Sequence, residues 1–177
     1  MNNNRVIVFV DGSNLFWGLK YFNEKNGTST RIDYSKLADE LTRGRTRIRS
    51  YYYGSESVPP KANQRSFHDA LRYSGYQVIV KPLKIRKDIE TGKEYAIEKG
   101  VDVSLVSDLL CLAWEGAYDV AVLVTGDADF LNPIEKVKYK GKIVEIASFK
   151  NSLSGELRKI ADKTVFLDDL IDKIKRE

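Results

Sequence analysis

One cysteine, one histidine and one methionine in 177 residues exclude several kinds of chemistry at the outset. Cys111 allows no intramolecular disulfide, and within the apolar helical stretch LLCLAW it reads as a core filler of a protein from a reducing cytoplasm. His68 stands alone in another helical stretch, which argues against a Ser-His-Asp triad or a histidine zinc site. The chain has no GxxxxGK[ST] and no GxGxxG loop, so neither common phosphate-cradling turn is present. No run approaches the roughly 20 apolar residues of a membrane span. The opening MNNNR before VIVFV has neither the length nor the flanks of a signal peptide. There is no repeat, linker or low-complexity segment. Charge of one sign is scarce too: 29 basic against 25 acidic residues leave +4, which permits a polyanionic partner without requiring one.

What is present alternates between strand and helix. VIVFV (Val6 to Val10) is a continuous apolar run, as in a strand buried on both faces. A helix is expected from Ser13 to Glu24, ended by Asn26-Gly27, and a second from Asp33, as N-cap, through Leu41. Thr46 to Tyr53 alternates arginine with apolar residues as a strand does. Pro59-Pro60 opens a helix to Ser74 capped by Gly75, and Tyr76 to Pro82 is a strand. Leu83 to Ile97 reads as a charged hairpin turning at Glu90-Thr91-Gly92-Lys93. Helix Val101 to Trp114, strand Val120 to Val124, helix Asp129 to Tyr139 and strand Lys142 to Ala147 follow. Helix Ser152 to Ile160, strand Thr164 to Leu167 and a helix from Asp169 complete the chain. The pattern predicts one α/β domain over 1–177, a three-layer sandwich with a central mainly parallel sheet and a small charged β-hairpin.

A parallel sheet gathers the carboxyl ends of its strands along one edge, where ligands bind. Asp11 follows the first strand and Asp127 and Asp129 follow Val120 to Val124, so these carboxylates are expected to meet, with Asp102 near them at a helix start. Two such charges repel by about 4 kcal/mol at about 4 Å and an effective dielectric of about 20. A divalent cation relieves the repulsion, and oxygen ligands favour Mg²⁺ or Mn²⁺. Each aspartate also has the plain reading of a helix cap, most readily Asp129, ahead of the helix with Pro133; Ser13 is read as the cap of the first helix. Asn14 is too deep for a cap and could hold a carboxylate or a phosphate oxygen, and Thr125 could offer its hydroxyl to the same edge. Gly126 would permit close approach of a ligand or a sharp turn. Asp108, about 240° around the helix from Asp102, is read as structural. Carboxylate-held metal suits hydrolysis of a phosphodiester.

Three motifs in order complete a resemblance: Asp11-Gly12-Ser13-Asn14, Lys99-Gly100-Val101-Asp102 and Thr125-Gly126-Asp127-Ala128-Asp129-Phe130. The set, spread over Val6 to Ser148, resembles the NYN domain family, and within it the LabA-like branch. The resemblance implies a PIN-like fold and a metal-dependent ribonuclease acting on RNA, expected to be single-stranded. It also implies that Asp11, Asp102, Asp127 and Asp129 bind metal, with Asn14 in support. Ser13, Lys99 and Thr125 would face substrate beside the metal. The alternative from a different class is a regulatory or adaptor protein that keeps the acidic site without cleaving; the intact aspartate set favours the enzyme.

Two basic stretches could follow a phosphate backbone. Arg43, Arg45, Arg47 and Arg49 precede Tyr51-Tyr52-Tyr53, but a charged edge strand with tyrosines in the core is the favoured reading there. Lys81, Lys84, Arg86 and Lys87 form the second, and the hairpin that carries them is expected to flank the RNA. A homo-oligomer or a regulatory protein partner stays open, since the terminal IDKIKRE could pack on either a partner or its own domain.

Overall fold

The apolar run near the amino terminus forms strand β1 (Arg5–Asp11), whose alternating side chains serve two separate cores. Val6, Val8 and Val10 pack on one face with Leu15, Leu37 and Ala38, while Ile7 and Phe9 pack on the other with Leu105, Leu109 and Leu123. Full burial of a Val, Leu, Ile or Phe side chain is worth about 1.5–3 kcal/mol, so a strand apolar on both faces is driven to the sheet centre. The computed structural model describes residues 4–177. Met1 to Asn3, on which the reading of the amino terminus as no signal peptide partly rests, lie outside the described residues.

After β1 come α1 (Gly12–Asn26), α2 (Tyr34–Thr42), β2 (Thr46–Glu56), α3 (Ala62–Tyr73) and β3 (Tyr76–Pro82). The hairpin strands β4 (Lys84–Lys87) and β5 (Glu94–Ile97) lead to α4 (Val101–Trp114) and β6 (Val120–Val124). The remainder is α5 (Leu131–Tyr139), β7 (Ile143–Ser148), α6 (Gly155–Ile160), β8 (Lys163–Phe166) and α7 (Leu167–Ile174). Six strands form one sheet in the order β3-β2-β1-β6-β7-β8, with every neighbouring pair parallel. The chain thus builds outward from β1 to β3, then returns to lay β6 on the other side of β1. That reversal opens a crevice at the carboxyl ends of β1 and β6, where open α/β sheets bind ligands. Residues of α1, α2, α3 and α7 cover one face and those of α4, α5 and α6 the other, which makes the expected three layers.

The hairpin is a separate two-stranded antiparallel sheet. Its turn is held by the Asp88 carboxylate, which accepts from the backbone N–H groups of Glu90 (2.9 Å) and Thr91 (2.7 Å). It leaves the main sheet after β3 and returns to α4, so both its roots lie at the carboxyl edge.

Several expectations need correction. Cys111 is exposed and fills no core. The buried stripe of α4 is Val101, Leu105, Leu109 and Ala113, and a residue two places past Leu109 points about 200° away from it. β2 lies between β1 and β3, but β3 pairs with it only from Ser50 onward, so Arg47 and Arg49 occupy a stretch that β1 alone borders. They lie in its exposed first half, at the amino edge of the sheet, while Tyr51, Tyr52 and Tyr53 are buried in its second half. The last helix packs on its own chain: Leu167 and Ile174 are fully buried, and Ile174 C=O accepts from Asp33 N–H (2.8 Å). Among the described residues no helix is long and apolar enough to cross a membrane.

Candidate functional site

The register that sets Val10 beside Val124 carries Asp11 to the level of Thr125 at the crevice. Asp11 is only 4 % exposed. One carboxylate oxygen accepts the Asn14 backbone N–H (3.0 Å), and the other accepts the Thr125 hydroxyl (3.0 Å). Asp11, and not Ser13, is therefore the N-cap of α1; Ser13 sits inside the first turn, half-buried. The helix starts immediately after the strand, which leaves no room for a later cap. Asn14 has a task that the sequence reading did not anticipate. Its side-chain oxygen accepts the Gly126 N–H (2.9 Å), so it ties the end of β1 to the loop after β6.

The hydrogen-bonded chain continues outward. The Thr125 hydroxyl, donating to Asp11, also accepts the Asp127 N–H (3.3 Å), and Asp127 accepts the Asp129 N–H (3.0 Å). Thr125 is 1 % exposed, with its hydroxyl engaged on both sides, so it orients Asp11 and does not face a ligand. The cap assignment after β6 is reversed as well. Asp127 caps a short 3-10 turn, Ala128–Phe130, that precedes α5, and Asp129 lies within the turn. Both carboxylates are exposed at the crevice. Gly126 is buried against the backbone of Ser152: a Cβ there would stand 1.9 Å from the Ser152 carbonyl oxygen. Its role is close packing of two chain segments, and not the approach of a ligand.

Asp102 sits in the first turn of α4, after Gly100, whose φ of 82° suits glycine. No hydrogen bond links Asp102 to the chain of bonds just described, but the fields overlap. Burial raises the Asp11 pKa to about 6 against the hydrogen bonds from Asn14 and Thr125, with the charges of Asp102 and Glu98 adding to the rise. The Asp102 pKa is raised by burial and then by the charges of Asp127 and Asp129. Glu98 was not anticipated from the sequence. It follows the return strand of the hairpin, half-buried, and accepts the Ser55 hydroxyl near the end of β2. The available signal was its place in Glu98-Lys99-Gly100, one residue before the motif that drew attention.

Among the described residues, none of Asp11, Glu98, Asp102, Asp127 and Asp129 takes part in an ion pair. Nor are any three His, Cys, Asp or Glu side chains gathered closely enough to enclose an ion. The donor set still fits a hard divalent cation: it is all oxygen, negative, and mutually repulsive with no internal counter-charge. Lys99, Lys84 and Arg86 are exposed, the last two two residues apart on β4 and therefore on one face of the hairpin. Asp108 is engaged elsewhere, accepting the Tyr53 hydroxyl (2.8 Å).

With this geometry in view, the profile of the NYN domain matches residues 5–168. The chain belongs to the NYN domain family. The family is part of the PIN-like nuclease superfamily, so an RNase-type function is the expectation for an NYN chain. This NYN chain is 30% identical to the Low amplitude and bright protein LabA of Synechococcus elongatus (strain ATCC 33912 / PCC 7942 / FACHB-805). That alignment covers 97% of this chain and 90% of the relative, which supports the LabA-like branch. The same fold occurs in the crystal structure of a protein of unknown function from Vibrio parahaemolyticus RIMD 2210633. The TM-score is 0.74 at 23% identity, covering 98% of this chain and 97% of that one.

Proposed function

We propose that this NYN chain is a divalent-metal-dependent ribonuclease that hydrolyses phosphodiester bonds of single-stranded RNA. The observation that carries the reading is the buried carboxylate of Asp11, aligned by Thr125 and Asn14 at the crevice that Asp102, Asp127 and Asp129 border. The reading treats 1–177 as one domain; α7, which runs past the family match, is packed on α2. Asp11, Asp102, Asp127 and Asp129 would hold Mg²⁺ or Mn²⁺, which when bound polarises a phosphoryl oxygen and acidifies a water.

The chain's own groups supply orientation and charge. The two hydrogen bonds to Asp11 fix its carboxylate plane before any ligand arrives, which lowers the reorganisation needed in the transition state. Asn14, by fastening the loop after β6, keeps Asp127 in register with Asp11. Asp129, exposed beside Asp127, ligates the metal or positions the attacking water. Lys99 faces the phosphate and offsets part of its charge, and Lys84 and Arg86 hold the flanking RNA backbone as the hairpin meets it. Ser13, in the first turn of α1, donates to a phosphate oxygen.

The test is cleavage of labelled single-stranded RNA in Mn²⁺, Mg²⁺ or EDTA, comparing wild type with Asp127→Asn. Metal-dependent cleavage that the substitution abolishes is the expected result. A folded wild type that cleaves under none of these conditions would contradict the reading and favour a regulatory or adaptor protein.

A further inference from the structure

A groove of about 770 Å³ runs along the other side of α1, lined by Gly12 at its upper end and by Arg31 and Arg176 at its lower end. Its Gly12 end adjoins the acidic crevice. Gly12 follows Asp11 directly, and the Tyr52 ring packs where a Cβ of Gly12 would be, with Tyr52 hydroxyl at 2.3 Å from that position. The Tyr52 hydroxyl also feels the charges of Glu98 and Asp11. The inner surface is aromatic: Tyr34, Tyr52 and Phe67 pack edge to face with centroids 5.6–5.9 Å apart. Phe16 stands at the rim, 60 % exposed, next to Trp17 (5.4 Å), itself 46 % exposed with the Lys20 ammonium 4.7 Å above its ring.

The walls are fixed in advance. The Asn23 side chain donates to Thr30 C=O and accepts from Thr28 hydroxyl and Thr30 N–H, holding the loop after α1 against the helix. The Arg176 N–H donates to Arg31 C=O (2.8 Å), closing the lower end. Lys20, Arg31 and Arg176 give the lining a cationic excess over Glu24, and among the described residues neither guanidinium is in an ion pair. Preformed aromatic faces with cationic flanks are how proteins take unstacked bases while following the phosphates.

We propose that this groove receives a nucleobase of single-stranded RNA, one step along the chain from the phosphate at the acidic crevice. The base lies against Phe16 and Phe67, and Arg31 and Arg176 meet the phosphates that follow. The proposal rests on the nuclease reading for its direction, and its test is binding, which is independent of cleavage.

The experiment measures affinity and Trp17 fluorescence for a short single-stranded RNA, in an Asp127→Asn background so that no turnover occurs. Phe16→Ala and Phe67→Ala should each weaken binding about tenfold. Tyr73→Ala, 91 % exposed on α3 outside the groove, should change nothing. An oligomer with an abasic site should bind less tightly than the intact one. Equal affinity for abasic and intact RNA, or unchanged affinity after Phe16→Ala in a protein with intact circular dichroism, would overturn the proposal. Unchanged RNA affinity with altered self-association would also overturn it and make the groove a protein contact. If the wild type cleaves no RNA yet binding depends on Phe16, the groove assignment stands and the nuclease reading falls.

Discussion

At the scale of single residues, Asp11 carries the strongest conflict in the molecule. Its carboxylate is buried and faces like charges, and its pKa is raised to about 6 from an ordinary value of 3.8. Between these values the folded protein holds a proton that the unfolded chain has released, so stability must fall as pH rises through that window. The loss amounts to about 3 kcal/mol once the pH exceeds about 6. Asp11→Asn should therefore unfold at a higher temperature than wild type at neutral pH without metal, and the two should converge near pH 4. Melting curves across pH check both limits. Gly126→Ala tests the packing of the neighbouring loop. The new methyl group meets the backbone of Ser152, which cannot step aside as a flexible side chain would. A loss of about 3 kcal/mol, or roughly 10 °C in the melting midpoint, is expected. The strand-end aspartates were legible in the sequence because apolar runs of five residues end visibly. Which one caps what was not, because a 3-10 turn and a helix start carry the same residues, and the geometry alone decides between Asp127 and Asp129.

At the scale of elements, the arginine row that leads into β2 shows how far alternation can mislead. Charge alternation marks a strand correctly, yet it does not say which end of the sheet that half of the strand occupies. Arg45 forms a bidentate pair with Glu145 (2.8 and 3.0 Å), with side chains only 14% and 8% exposed, and Arg47 pairs with Asp39 (2.9 Å). Both belong to the amino edge, opposite the acidic crevice. Arg45→Ala leaves Glu145 buried without its partner and should cost about 3–5 kcal/mol in chemical denaturation. RNA affinity measured under folding conditions should stay at the wild-type value. Helix α4 teaches the complementary lesson: its boundaries follow from the sequence, but with apolar residues on most of its surface the stretch LLCLAW does not reveal which face turns outward.

At the scale of the whole molecule, the surface charge is divided in a way the net of +4 conceals. Negative groups collect at the carboxyl ends of β1 and β6, and the hairpin beside them extends Lys84, Arg86 and Lys87 into solvent. A polyanion with a metal at its scissile phosphate can satisfy both regions together. Replacing those three side chains by alanine should weaken RNA binding and flatten its salt dependence, lowering the log–log slope by up to about 2. An unchanged slope would remove the hairpin from the interface. The parallel α/β order and the hairpin could be expected from periodicity, and the placing of Asp11 and Asp127 after neighbouring strands from the strand ends. Glu98, the groove beside α1 and the engagement of Thr125 and Asn14 could not, since each depends on contacts between segments far apart in sequence. The central claim is that the acidic crevice exists to hold a divalent cation. Titration calorimetry of Mn²⁺ into wild type and Asp11→Asn at neutral pH addresses it most directly. The account predicts saturable binding that raises the melting midpoint of wild type and is lost in Asp11→Asn; no saturable binding to folded wild type, or equal binding by both proteins, would contradict it.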